Sequence, residues 1–189
     1  MKIIGITYYD GSENLVLKSD SSLLVNRKPL FVPERISDLQ ALPCVVLRVS
    51  RLGKCVAPRY ASRYYDAVAP GLDFFAADLL REAKKQGRPW TPAMAFEGSL
   101  AVGEWKDVDA FPLITTWHVM RGEKRVGEIA WQTHADCLDN AVAQASEMLT
   151  IRQGDLIYLA YQGAPLQLQN EDIVHCTDGN AETLYCKIK

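Results

Sequence analysis

Short apolar runs rich in Ile, Val, Thr and aromatic residues recur along the whole chain, separated by turn residues, and this pattern calls for a fold built on β-sheet. Residues 2–7 read as an opening strand. Cys44–Ser50 is β-branched and mostly apolar, a buried strand ended by Leu52-Gly53-Lys54. A strand around Ala67–Phe74 is expected to break at Pro70-Gly71. Leu113–Met120 leads through the turn Arg121-Gly122-Glu123 into Arg125–Trp131, and Leu156–Tyr161, Ile173–Thr177 and Glu182–Ile188 supply the remaining strands. Helical patterns are fewer. Ala57–Asp66 can form a short helix with Tyr60 and Tyr64 on one face, and Ala76–Gln86 is stopped by Gly87 and Pro89. Residues 135–149 place Leu138, Val142, Ala145 and Leu149 at helical spacing. The segment 8–40 reads as loop-rich, with Lys28-Pro29 and Val32-Pro33 limiting helix. The expected architecture is a β-rich α+β domain spanning 1–189, with a loop-rich N-terminal portion (1–40) and a core (41–189).

A chain of 189 residues, 48% hydrophobic, can bury a core without disulfides or metals. A net charge of −2 argues against sequence-independent nucleic-acid binding, which needs a basic face. No window holds 18 consecutive apolar residues, so no membrane span is expected. The start Met1-Lys2-Ile3-Ile4 does not read as a secretory signal, and the five cysteines include no CxxC pair; a cytoplasmic protein with reduced, buried thiols is expected. Histidine is scarce: His118, His134 and His175.

The ordered series Arg48-Val49-Ser50-Arg51-Leu52-Gly53-Lys54, Arg63-Tyr64-Tyr65-Asp66, Gly71-Leu72-Asp73-Phe74-Phe75, Pro89-Trp90, Ala95-Phe96-Glu97-Gly98-Ser99 and Gly154-Asp155-Leu156-Ile157-Tyr158 resembles the fumarylacetoacetate hydrolase family. Lys18 and Leu24-Val25-Asn26-Arg27 also fit its N-terminal portion. The resemblance is to single-domain members of the 2-hydroxyhepta-2,4-diene-1,7-dioate isomerase and acylpyruvase type. It implies a mixed β-sandwich roll, usually a homodimer, that cleaves, decarboxylates or tautomerises small β-dicarbonyl acids. In such chemistry a magnesium or manganese ion on hard oxygen ligands stabilises the enolate. The family supplies a Glu-x-Glu pair, an Asp before a helix, a loop histidine with a neighbouring Glu, and Arg, Gln, Lys and Thr contacts to substrate.

Matched residue by residue, most of these groups are replaced. The Glu-x-Glu positions fall on Leu42 and Cys44, leaving Asp73 as the sole matched metal ligand. The Arg, Gln and Lys positions fall on Ala77, Leu80 and Met94, and the Thr-Gly-Thr-Pro turn is Leu159-Ala160-Tyr161-Gln162. The histidine loop reads Tyr8-Tyr9-Asp10-Gly11-Ser12-Glu13. These replacements predict an apolar pocket floor without a fixed cation, and a degenerate metal site with no cofactor; Asp73 is expected to cap the helix after it. The expected function is a pseudoenzyme: a family homologue without metal-dependent catalysis, acting in binding, regulation or assembly, possible partners being a second copy and an active paralogue. The alternative is a divergent hydrolase, decarboxylase or isomerase using magnesium or manganese, with Glu13 and Glu97 as candidate catalytic carboxylates. A third reading places an apolar ligand against Leu42, Leu80 and Met94.

Overall fold

The structure is a computed structural model that describes residues 1–8, 13–109, 116–130 and 135–189, with backbone alone at 135 and 136. The candidate residues Tyr9, Asp10 and His134, and the strand ends at 113–115 and at Trp131, lie outside the described residues.

Thirteen strands form among them: β1 (Ile3–Thr7), β2 (Asn14–Lys18), β3 (Leu23–Val25), β4 (Leu39–Val49), β5 (Tyr65–Ala76), β6 (Leu100–Val102), β7 (Lys106–Asp107), β8 (Thr116–Arg121), β9 (Lys124–Ala130), β10 (Leu156–Ala160), β11 (Leu166–Leu168), β12 (Ile173–Thr177) and β13 (Glu182–Lys187). The α-helices are α1 (Pro58–Ala61), α2 (Ala77–Gln86), α3 (Thr91–Met94) and α4 (Ala135–Met148). The large sheet runs β2-β1-β10-β4-β5-β6-β3, with β11 beside β4 and β7 beside β5; the small sheet runs β13-β12-β8-β9. The β1–β10 and β3–β6 pairs are parallel and the others antiparallel, so this is the expected β-rich α+β architecture with a mixed sheet.

Alternation of side chains across β4, β5 and β10 divides the apolar residues between two cores. On one face, Val45, Leu47, Leu72, Phe74 and Ile157 pack with Trp117, Val119 and Val174 of the small sheet and Leu138, Val142 and Ala145 of α4. On the other face, Leu42, Cys44, Val46, Phe75 and Tyr158 pack under Ala77 and Leu80 of α2 and Ala93 and Met94 of α3. The replaced positions Leu42, Cys44, Ala77, Leu80 and Met94 all belong to this second core.

Two local expectations are corrected. Pro70-Gly71 does not break β5, which runs unbroken for 12 residues. The Pro70 carbonyl accepts from Gly103 N at 2.9 Å, so the missing N–H falls on the same side, between the end of β7 pairing at Val68 and the start of β6 pairing at Gly71. Gly71 is required there, because a Cβ would come within 2.7 Å of Val46 and 2.8 Å of Cys44 Sγ. The segment 8–40 also holds β2 and β3 rather than only loop. Both are edge strands whose large apolar residues Leu15, Leu17 and Val25 face outward, the reverse of the pattern that signals a strand. Among the described residues no helix is long and apolar enough to cross a membrane.

Candidate functional site

The β4–β5 register sets Leu42 directly opposite Asp73 and Cys44 opposite Gly71, so the three matched ligand positions share one sheet face. Strand β2 delivers Lys18 to the same face, its Cα opposite Ile3. Lys18 and Asp73 are both fully buried, and Lys18 Nζ lies 2.6 Å from Asp73 Oδ1. The ammonium also donates to Ser99 O at 2.9 Å and lies 3.2 Å from Ser99 Oγ. The Tyr158 ring stands 5.7 Å away, presenting its negative face to the charge. Thr7 Oγ1 donates to Asp73 Oδ2 at 3.4 Å. Gly5 lets the Tyr158 ring lie there: a Cβ on Gly5 would come within 2.1 Å of it.

This ion pair overturns two expectations. Asp73 does not cap the helix that follows, since Ala76 occupies the N-cap of α2 without a side-chain cap. Nor is the floor free of a fixed cation: Lys18 was matched only as part of the N-terminal motif, and nothing near it in sequence signals a partner 55 residues away. Around the pair, the five replaced positions Leu42, Cys44, Ala77, Leu80 and Met94 are all buried and belong to one apolar cluster. Their own side chains fill the floor, which argues against an apolar ligand seated on Leu42, Leu80 and Met94.

A hard divalent ion does not fit this donor set. It would find one carboxylate already bonded to an ammonium, one leucine and one thiol, where magnesium or manganese needs several oxygen ligands. Among the described residues no group of three or more His, Cys, Asp and Glu is arranged to hold a metal. Burial, with the nearby Asp73 charge, pushes the Cys44 thiol well above its ordinary range, while Lys18 only partly opposes this. Burial likewise lifts Cys176 and Cys186 to about 12, whereas Cys55 and Cys137 are exposed. A disulfide reagent added to the native protein should therefore titrate two of the five thiols quickly, and Cys44, Cys176 and Cys186 only after unfolding. Rapid native labelling of Cys44, read by peptide mass, would contradict the buried geometry.

The other candidates are scattered. Glu97 is exposed on the turn before Ser99, and His118 and His175 sit half-buried in the small sheet. Glu13 belongs to a cleft of about 720 Å³ on the opposite side of β1 from the ion pair. There Tyr8 and Glu13, from the segment matched to the histidine loop, meet Tyr161 and Gln162, from the segment matched to the Thr-Gly-Thr-Pro turn, and both face α4. Tyr8 donates to Glu13 Oε2 at 3.0 Å, and Gln144 Nε2 donates to Glu13 Oε1 at 2.7 Å. Burial, together with the Glu13 carboxylate, raises the Tyr8 phenol above its ordinary value despite a hydrogen bond to Gln162.

No family model matches the chain. It is 26% identical over 169 residues to the mitochondrial oxaloacetate tautomerase FAHD1 of Rattus norvegicus, an alignment covering 87% of this chain and 76% of that one. The fold superposes on fumarylpyruvate hydrolase from Pseudomonas aeruginosa, solved with Mn2+ and pyruvate, with a TM-score of 0.84 at 16% identity, covering 100% of this chain and 89% of that one. It superposes on 2-hydroxyhepta-2,4-diene-1,7-dioate isomerase from Mycobacterium marinum with a TM-score of 0.80 at 20% identity, covering 99% of this chain and 73% of that one. The two structural likenesses are of fold. Taken with the ordered motif series and the tautomerase relative, they make this chain similar in sequence pattern and in fold to proteins of the fumarylacetoacetate hydrolase type.

Proposed function

We propose that this protein is a family homologue without divalent-metal catalysis at the matched position, serving a binding, regulatory or assembly role. One observation carries the reading: Asp73, the sole matched metal ligand, is fully buried and bonded at 2.6 Å to Lys18. Hard-metal chemistry at this position would need Asp73 to leave Lys18, stranding a buried ammonium, and would need oxygen donors from Leu42 and Cys44 that they do not have. The same reading carries the expectation of a homodimer in the cytoplasm.

A second reading, a divergent hydrolase or isomerase of small acylpyruvate-like or dienoate acids, is supported by the activities named for the tautomerase, hydrolase and isomerase relatives. Titration calorimetry with MnCl2 and MgCl2, paired with turnover assays on oxaloacetate and an acylpyruvate, separates the two. The proposal expects no saturable metal binding below about millimolar concentration and no metal-dependent turnover. Tight binding together with turnover that chelation abolishes would establish the second reading instead.

A further inference from the structure

We propose that the cleft between β1, β10 and α4 is a binding site for a small organic cation, an amine carried on an apolar or aromatic body. This deepens the non-catalytic reading above by naming a ligand class for it.

The volume of about 720 Å³ lies within the usual range for small-molecule sites. Ile6, Leu159 and Ala141 supply an apolar wall, and Tyr8 and Tyr161 also line the cleft. Charge then decides the ligand. The charged side chains among the described lining are two carboxylates, Glu13 and Glu147, with no Lys, Arg or His. Among the described residues, the cation recorded at this rim is Lys54, whose ammonium donates at 2.8 Å to the Glu147 carbonyl at the end of α4. A small dicarboxylate would meet like charge here. An ammonium would meet a fixed anion in a cleft that two tyrosines line.

Glu13 is placed for that task. Tyr8 holds one of its oxygens and Gln144 the other, from opposite sides of the cleft. A carboxylate has about four acceptor positions, so two bonds orient it and leave capacity for a ligand N–H. The Tyr8 phenol stays a donor to Glu13 rather than a competing anion. Tyr161 and Gln162 add polar groups on the facing wall.

The test uses three probes of one size and different charge, namely benzylamine, benzyl alcohol and benzoate. Each is titrated into the full chain in EDTA and followed by NMR shifts of the backbone amides of α4. Benzylamine should bind at least 5-fold more tightly than benzyl alcohol, and benzoate no better than the alcohol. Glu13→Gln keeps an acceptor oxygen for Gln144 and presents an amide N–H to the Tyr8 hydroxyl oxygen, so the shape is kept without the charge. It should weaken benzylamine at least 5-fold while leaving benzyl alcohol unchanged. Equal affinity for all three probes, preference for benzoate, no binding, or an unaffected Glu13→Gln variant would each overturn the proposal. With EDTA present, metal cannot contribute, so failure here is separate from failure of the metal and turnover assays above.

Discussion

Lys18→Met should cost roughly 3–5 kcal/mol of unfolding free energy, because it strands the Asp73 carboxylate in a site closed to water. The ammonium contributes through its ion pair, its bond to the Ser99 carbonyl and the facing Tyr158 ring, and methionine replaces none of these. Urea unfolding followed by circular dichroism measures the loss as a shift in midpoint at constant slope. The companion Lys18→Met/Asp73→Leu variant removes both charges together. It should regain most of the stability, since two buried ions are expensive to desolvate and apolar replacements of similar volume are often neutral or better. A Lys18→Met variant within about 0.5 kcal/mol of the parent would mean that Asp73 has water or another cation at hand.

That buried pair also marks where sequence reading stops. Strands β1, β10, β12 and β13 and helices α2 and α4 were legible because each carries its own local signal: a β-branched run, a helical period, or a Gly at the helix end. Gly87 illustrates the last, closing α2 at φ 63°. Strands β2 and β3 were not legible, because an edge strand need not keep its apolar residues inside: Leu15 and Leu17 face outward while Lys18 goes in. The unbroken β5 was hidden for a different reason. A proline ends a strand only where a neighbour needs its N–H, and the gap between β6 and β7 pairing depends on long-range register.

At the site, the resemblance singled out Leu42, Cys44 and Asp73, and the β4–β5 register sets Leu42 opposite Asp73 with Cys44 two residues along the same strand. What filled the vacated space did not follow. Charge balance in a core is decided by whichever strand ends there, and β2 reaches Asp73 only through β1. The cleft is a further case. Glu13 and Gln144 lie 131 residues apart, and neither carries a pattern that points to the other.

Leu42→Glu restores one of the family's carboxylate positions, and is expected to destabilise the protein by at least about 3–5 kcal/mol rather than rebuild a metal centre. Leu42 is buried among Cys44, Phe75, Leu80 and Met94, with Asp73 directly across the strand pair. Its new carboxylate would share Lys18 with Asp73 or bury an unpaired charge beside a like one, and either outcome is costly. The penalty has a pH signature. Burial and the Asp73 charge both favour the neutral acid, raising the folded-state pKa of the new glutamate above its unfolded value. The folded protein then binds the proton that the unfolded chain has released, so the loss is least near pH 5 and grows as pH rises toward 8. A metal site being reassembled would give the reverse, with the variant more stable at high pH and stabilised further by millimolar MnCl2. Unfolding curves at pH 5 and pH 8, each with EDTA and with MnCl2, distinguish the two. Stabilisation by manganese at pH 8 would show that the space around Asp73 can still hold an ion, and that Lys18 withdraws when carboxylates return. The expected result, a variant weakest at pH 8 and indifferent to manganese, would show that Leu42, Cys44, Leu80 and Met94 pack as core around an ion pair the fold depends on.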